Sequence, residues 1–307
     1  MTVPPARGLF AASMLVAGAL VLGLSNPARA ATGRVTIEVG GQKRQATIVE
    51  RSRLKRAPRP TIIVLRASGA GARRAGLSRI DRFLGLDEAA GVGTVLAFPS
   101  AIGRRWQIEG KDDDAAMVRA LAARLVADGL ADKKRIYLAG VSSGALMATR
   151  IVCDGADYLA GAAALIGTAP AGVAASCKPA KPIPFLLLAG TADPLTPYQG
   201  GPSKLEDFKG DVASAEATLA PFAAAADCGK THSTDELPNK DANDGSRVVV
   251  EKFQGCKAPV ELYRIVGGGH ALPGRLARSD RGAAIGARNN DIDTARVLVD
   301  FFRRAAR

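Results

Sequence analysis

A serine, Ser142, lies at the centre of the glycine-rich pentapeptide GVSSG at residues 140–144. The apolar run Ile136–Ala139 precedes it and a small-residue, helix-forming run follows, which predicts a strand, a sharp turn and a helix. Side chains at the two glycine positions would collide with neighbouring backbone, so the glycines permit a turn tight enough to present the Ser142 hydroxyl above a sheet. The pattern predicts a nucleophilic serine.

Two further strand ends carry the side chains that such a serine needs. Asp193 follows the apolar run Phe185–Ala189, and His270 follows the run Glu261–Val266 and three glycines. A serine hydroxyl becomes a good nucleophile when a base accepts its proton, and an imidazole oriented by a buried carboxylate is a suitable base. The chain order Ser142, Asp193, His270 is that of an α/β-hydrolase triad.

Other candidates for the base and the acid are weaker. The chain has only one other histidine, His232, which lies in a polar segment with no strand before it. That setting is typical of an exposed loop histidine. Asp291 and Asp293 lie near His270 in the sequence and are alternatives to Asp193.

A tetrahedral intermediate also needs hydrogen-bond donors for its oxyanion. The backbone N–H of Ser143, next to the nucleophile, is one predicted donor. The second should come from the glycine-rich loop Arg66–Gly71, which follows the apolar run Thr61–Leu65, and we select Ser68.

The elements that must position these residues alternate between strands and helices. Strands are predicted at 34–39, 45–50, 61–65, 94–98, 136–139, 162–166, 185–189, 247–253 and 261–266. Helices are predicted at 79–90, after Asp112–Asp114, after Ser142, around 212–226 and at 293–304, whereas 227–246 is polar and rich in turn residues. The alternation predicts the α/β class, with a mostly parallel central sheet covered by helices on both faces and an edge hairpin formed by the first two strands. Residues 31–307 are expected to form a single catalytic domain.

The first thirty residues have the pattern of a secretory signal peptide. Arg7 precedes an apolar run at 9–24, and Ala28-Arg29-Ala30 places small residues at the positions that a signal peptidase reads. A membrane anchor is the alternative, but sixteen residues are short for a span. We therefore expect a secreted or periplasmic protein with no stable membrane insertion after cleavage.

The cysteines agree with export. An even count of four in an exported protein predicts disulfides, and with three connectivities possible we select sequence neighbours, Cys153–Cys177 and Cys228–Cys256. Free buried thiols are the alternative. The absence of a Cys-x-x-Cys pair argues against a zinc cluster, and we expect no metal and no cofactor.

The charge is strongly basic. The formal net charge is +13, two units of which lie in the segment 1–30, and many of the arginines fall between 51 and 82. Nucleic-acid binding is a poor explanation, because aromatic residues make up 5% of the chain and no nucleic-acid motif is present. A solvated basic surface could instead make electrostatic contact with anionic envelope polymers.

Three stretches around the candidate residues match one known family: GVSSGALM at 140–147, GTADPLTPYQGG at 190–201 and GGGHALPG at 267–274. With them the chain resembles the secreted poly(3-hydroxybutyrate) depolymerase-like and feruloyl esterase-like α/β-hydrolases, relatives of carbohydrate esterase family 1. The resemblance spans about residues 33–305 and implies the triad Ser142, Asp193 and His270, with ester hydrolysis through an acyl-enzyme. The family usually carries His-Gly where this chain has Arg66-Ala67, a departure beside the expected oxyanion donor.

The predicted function is that of a serine carboxylic-ester hydrolase of the polyhydroxybutyrate depolymerase-like type, acting on short oligomers or small esters. Arg66 and Trp106 are predicted to lie at the substrate pocket, where Arg66 would favour an acidic acyl group. A feruloyl or acetyl xylan-type carbohydrate esterase, an acyltransferase or peptidase on the same fold, and a catalytically weak binding protein remain alternatives.

Overall fold

The described residues of the computed structural model are 1, 31–51, 57–67, 85–91, 93–110, 113–274 and 282–306. Their strands are β1 (Ala31–Val39), β2 (Gln42–Glu50), β3 (Arg59–Leu65), β4 (Val95–Pro99), β5 (Ala131–Val141), β6 (Gly161–Leu165), β7 (Phe185–Gly190), β8 (Gly201–Pro202), β9 (Asp211–Val212), β10 (His232–Glu236), β11 (Arg247–Phe253) and β12 (Val260–Val266). Their α-helices are α1 (Leu86–Ala90), α2 (Asp113–Ala127), α3 (Ser143–Cys153), α4 (Ala171–Ser176), α5 (Ala215–Ala225), α6 (Gly282–Ile285) and α7 (Thr294–Ala305).

The central sheet has the order β1-β2-β4-β3-β5-β6-β7-β12-β11-β10 within the described chain. Strands β4, β3, β5, β6, β7 and β12 run parallel to one another, whereas β1 and β2 at one edge and β11 and β10 at the other pair antiparallel. The hairpin of β1 and β2 lies at one edge, as predicted. The prediction of a mostly parallel α/β sheet is therefore confirmed.

Both faces of the sheet are covered by helices. Side chains alternate along each buried strand, so successive residues enter cores on opposite faces. In β5, Ile136 and Leu138 join the core that also contains residues of α2, α3 and α5. Tyr137 and Ala139 point to the opposite core, which contains residues of α1 and α7. There Tyr137 stacks on Phe302 of α7 with ring centroids 4.5 Å apart.

The helix that follows the serine turn is buried along its whole length. All eleven residues of α3, Ser143 to Cys153, are buried, in contrast to an amphipathic surface helix. The helix packs between the sheet and its neighbours, so its small residues allow close approach of backbone on several sides. The position of Ser142 at its start is consequently set by the protein core.

A buried ion pair lies at the start of α2. The helix predicted after Asp112–Asp114 begins at Asp113, and Asp113 and Asp114 lie in its first turn. Asp114, however, is fully buried and accepts hydrogen bonds from the Arg44 guanidinium and from the Gln107 backbone N–H. Desolvation of a carboxylate is costly, and this pairing offsets it.

The basic stretch is also less solvated than expected. Arg59 is buried and pairs with Glu50, and Arg51 donates a hydrogen bond of 2.8 Å to Asp87. Part of the positive charge in this region is therefore neutralised inside the fold rather than presented to a partner.

The polar segment 227–246 contains a strand that the sequence pattern missed. Strand β10 pairs antiparallel with β11 at the sheet edge, and four of its five residues are exposed. An edge strand of this kind lacks the apolar alternation that identifies a strand in sequence. His232 is its first residue rather than a loop residue, and its side chain is exposed, as expected.

Several predicted features lie outside the described residues. They are the signal peptide 1–30 apart from Met1, the proposed donor Ser68, and the predicted helix 79–90 up to residue 84. A membrane-spanning helix would need greater length and apolarity than any helix in the described ranges has.

Two disulfides tie the carboxyl ends of α3 and α5 to neighbouring elements. Cys153, at the end of α3, is bonded to Cys177, which follows α4. Cys228, after α5, is bonded to Cys256, between β11 and β12. The structure thus contains the pairing of sequence neighbours, and its described cysteines are all bonded.

We expect the purified, denatured protein to resist alkylation until it is reduced, after which all four cysteines should react. Mass spectrometry of alkylated protein, with and without prior reduction, measures this. Reduction should also lower the free energy of unfolding by about 3 kcal/mol for each loop, because each bond closes a loop of similar length in the unfolded chain. Free alkylation of the unreduced protein would contradict both bonds.

Candidate active site

The serine turn has a backbone conformation that is unusual for a residue with a side chain. Ser142 has φ 57° and ψ −124°, between the end of β5 and the start of α3. A Cβ atom at Gly140 would lie 2.0 Å from the Gly144 carbonyl oxygen, and one at Gly144 would lie 2.2 Å from the Leu65 carbonyl oxygen. The glycines therefore permit backbone contacts that would otherwise be blocked, as the sequence predicted.

The end of β6 supports this turn from the other side. Ser142 N–H donates to the Leu165 carbonyl at 2.9 Å, and a Cβ atom at Gly167 would lie 2.7 Å from the Ser142 carbonyl oxygen. The strand ends one residue earlier than predicted because Ile166 has φ 48°. A β-branched residue in this region is strained, and such strain persists only where the surroundings impose it.

The structure brings the three predicted side chains into one hydrogen-bonded chain. Ser142 Oγ lies 2.7 Å from His270 Nε2, and His270 Nδ1 lies 2.8 Å from Asp193 Oδ2. All three residues are buried. They come from the carboxyl ends of β5, β7 and β12, where functional groups of a parallel sheet are expected to meet.

Glycines also allow the histidine loop to reach the serine. A Cβ atom at Gly190 would lie 2.3 Å from the Gly268 carbonyl oxygen, and one at Gly269 would lie 2.1 Å from the Ile285 carbonyl oxygen. His270 N–H donates to that same Ile285 carbonyl at 2.5 Å. The loop is thus held between β7 and α6 by close backbone contacts.

The two alternative acids have other roles. Asp291 is buried, and its Oδ1 accepts the backbone N–H groups of Lys240 and Asp241 at 2.6 and 3.2 Å. Asp293 is the N-cap of α7 and accepts the Arg296 N–H at 3.0 Å. Neither carboxylate orients His270.

The loop after β3 contacts the serine turn as far as it is described. The Arg66 carbonyl oxygen would lie 2.8 Å from a Cβ atom at Gly144, so this peptide packs against the start of α3. Ser143, the first predicted oxyanion donor, is the buried first residue of α3. Ser68, the second, lies outside the described residues.

The two predicted pocket residues have different environments. Arg66 is half-buried, its Nε has no hydrogen-bond partner among the described residues, and burial lowers the pKa of its guanidinium. Trp106 is 5% exposed and donates its indole N–H to the Arg66 carbonyl at 2.6 Å. Trp106 therefore packs in the core and contacts the backbone of the loop, and its place at the substrate pocket stays a prediction.

Comparison with known proteins identifies relatives. No model of a known protein family matches the chain. The "Putative esterase NocK" of Nocardia uniformis subsp. tsuyamanensis is 29% identical over 79% of this chain and 74% of its own length. Feruloyl esterase B of Piromyces equi is 29% identical over 58% of this chain, which corresponds to about a third of that protein's length, 34%.

A solved structure supports the same fold. The acetyl xylan esterase from Aspergillus awamori superposes with a TM-score of 0.54, covering 78% of this chain and 94% of its own, at 13% identity. The chain has the fold of an α/β-hydrolase and is similar in sequence to a feruloyl esterase. It is a serine carboxylic-ester hydrolase.

The sequence reasoning missed one polar residue in the site of this esterase. Thr196 is buried, and its Oγ1 donates to Asp193 Oδ2 at 2.9 Å. The backbone N–H groups of Leu195 and Thr196 donate to Asp193 Oδ1 at 2.8 and 2.9 Å. An aspartate followed by proline and then threonine at the third position is the signal that could have indicated this turn, because Asp side chains commonly accept from N–H groups two or three residues on.

Replacing Thr196 with valine should reduce kcat for ester hydrolysis about tenfold and leave KM nearly unchanged. Valine keeps the shape but removes the donor that helps to orient the carboxylate, and a hydrogen bond to a charged group contributes roughly 1.5–3 kcal/mol. Steady-state kinetics with p-nitrophenyl acetate measures the effect.

The matched control is Thr61→Val, which also removes a buried hydroxyl. The Thr61 hydroxyl donates to the Arg59 backbone carbonyl at 3.2 Å. Because Thr61 lies near the amino end of β3, away from the serine turn, its loss should lower stability without changing kcat. Equal kcat values for both variants and the wild type would argue against a role for Thr196.

Proposed function

We propose that this esterase hydrolyses its substrates through an acyl-enzyme on Ser142. The observation that carries the proposal is the continuous hydrogen-bonded chain from Ser142 Oγ through His270 to Asp193, with contacts of 2.7 and 2.8 Å. In this arrangement the His270 Nδ1 proton donates to Asp193, which leaves the Nε2 lone pair free to accept the proton of the serine hydroxyl.

The reaction has two halves. Ser142 Oγ attacks the ester carbonyl carbon while its proton passes to His270 Nε2, and the tetrahedral intermediate collapses as the leaving alcohol takes that proton. Water then attacks the acyl-enzyme, again giving a proton to Nε2, and the acid is released as this proton returns to Ser142 Oγ. Asp193 stabilises the imidazolium in both halves.

The oxyanion of each intermediate requires backbone donors. We assign one to the Ser143 N–H at the start of α3, where the helix dipole also favours negative charge. The second belongs to the loop that follows β3 and begins at Arg66. Contact of Arg66 with the serine turn supports the location of this second donor.

For the substrate, we propose small esters or short oligomers, with feruloyl or acetyl esters of polysaccharides ahead of hydroxybutyrate oligomers. The names of two relatives, an esterase and a feruloyl esterase, support this order. We further propose that the enzyme is secreted or periplasmic. The two disulfides and the signal-like pattern of residues 1–30 support export.

Ser142→Ala should lower kcat for p-nitrophenyl butyrate by at least about 10⁴-fold, because the nucleophile is removed. His270→Ala should have a similar effect, and the double variant should be no worse, since the residues act as a unit. Initial-rate measurements on folded protein check this.

The chain offers a matched control for each change. Ser176→Ala alters an exposed serine of α4, and His232→Ala alters the only other histidine, which is exposed on β10. Both should retain wild-type activity. Substantial activity in Ser142→Ala would reject the acyl-enzyme on this residue.

A panel of esters should separate the substrate classes. We expect kcat/KM for methyl ferulate or acetylated xylan fragments to exceed that for a hydroxybutyrate dimer by at least about tenfold, since pockets discriminate acyl groups on this scale. Each rate is measured beside Ser142→Ala as a blank. The opposite order would favour a depolymerase of hydroxybutyrate oligomers.

A further inference from the structure

The single tryptophan of the chain makes a specific contact with the loop beside the nucleophile. Trp106 is buried, and its indole N–H donates to the Arg66 carbonyl at 2.6 Å. Forty residues separate the two in sequence. The contact is therefore a tertiary one, and it acts on the backbone of Arg66 rather than on its side chain.

The peptide that Trp106 holds lies against the serine turn. A Cβ atom at Gly144 would be 2.2 Å from the Leu65 oxygen and 2.8 Å from the Arg66 oxygen. In a planar trans peptide the C=O and the following N–H point in opposite directions. Fixing the Arg66 carbonyl therefore also fixes the direction of the Ala67 N–H, which has no acceptor among the residues that the structure describes.

Trp106 itself is held by its neighbour in the chain. The Gln107 N–H donates to Asp114 Oδ2 at 2.7 Å, and the Gln107 carbonyl accepts from Arg150 Nη1 at 2.6 Å. Both charged side chains are buried, and Asp114 is paired with Arg44. Because Asp114 belongs to α2 and Arg150 to α3, the segment that carries Trp106 is tied to the helix that begins at the nucleophile.

We propose that Trp106 is a positioning residue, whose indole N–H orients the Arg66–Ala67 peptide so that the Ala67 N–H serves as the second oxyanion donor. This donor lies one residue before Ser68 in the same loop. The inference rests on the proposed acyl-enzyme function. A buried indole N–H requires an acceptor, and the Arg66 carbonyl is the acceptor for Trp106.

The first test is Trp106→Phe, which retains an aromatic ring and removes the N–H. Oxyanion donors act on the transition state, and loss of one costs about 10²–10³-fold in kcat. A misdirected donor should cost part of that, so we expect kcat for p-nitrophenyl acetate to fall about 10- to 100-fold while KM changes less than about threefold. Thr61→Val, which also loses a buried donor to a backbone carbonyl, should keep the wild-type kcat.

A second substitution separates the hydrogen bond from packing. Because the chain has one tryptophan, 3-benzothienylalanine can replace it throughout the protein, with sulfur in place of the indole N–H and nearly the same shape. The same loss of kcat is expected. The inhibition constant of an alkylboronic acid, which forms a tetrahedral anion on the serine, should rise by a similar factor in both variants, whereas a purely structural role would leave it unchanged.

The outcomes are distinct. Wild-type kcat and boronate affinity in the benzothienylalanine protein, or in folded Trp106→Phe, would overturn the role of Trp106 while leaving the esterase mechanism in place. A wild-type protein without Ser142-dependent ester hydrolysis would overturn the proposed function and this inference together. Parallel losses of kcat and boronate affinity, with KM nearly constant, would support it.

Discussion

The site depends on the backbone of Ser142, which has φ 57° and is held there by the ends of neighbouring strands. This conformation costs a non-glycine residue of order 1–3 kcal/mol and persists only when the surroundings impose it. The surroundings are the ends of three adjacent strands: β3 contacts Gly144, β6 accepts the Ser142 N–H, and β5 leads into the turn. Because α3 is buried along its length, the turn cannot relax without disturbing the core.

Close backbone contacts at glycines also occur where the loop that carries His270 approaches Ser142. Gly190 and Gly269 allow backbone to come closer than any side chain would permit, so the loop after β12 passes over the end of β7. His270 and Asp193, both buried, are thereby brought to hydrogen-bond distance although they are 77 residues apart in sequence. Burial excludes water from these contacts and strengthens their electrostatic interaction.

Near the nucleophile, buried charged side chains form hydrogen bonds with the backbone as well as with each other. Asp114 and Arg150 each hydrogen-bond to the backbone of Gln107, and this fixes the segment that carries Trp106. Replacing such charges by apolar residues often has little effect on stability, which suggests that their value here is geometric. These charged side chains would control where the loop after β3 lies.

Much of the fold could be predicted from local patterns. Continuous apolar runs identified the buried strands, and the alternation of strands and helices identified a parallel sheet covered on both faces. The pattern failed at β10, whose exposed polar residues make the same backbone hydrogen bonds as any strand but carry no apolar signal. The pattern also failed to distinguish the buried Asp114 from the other acids of its cluster, because the partner of Asp114 is Arg44, which lies 70 residues away in sequence.

By itself, the sequence determined which residues can do the chemistry: one serine between two glycines, one histidine after a strand, and an aspartate between them in chain order. Those choices depend on side-chain type and local turn geometry, which neighbouring residues specify. Only the tertiary structure decided that Thr196 and two N–H groups hold Asp193, and that the indole N–H of Trp106 donates to the Arg66 carbonyl. The direction of a side chain in a core is set by packing against residues distant in sequence, and no local pattern contains that information.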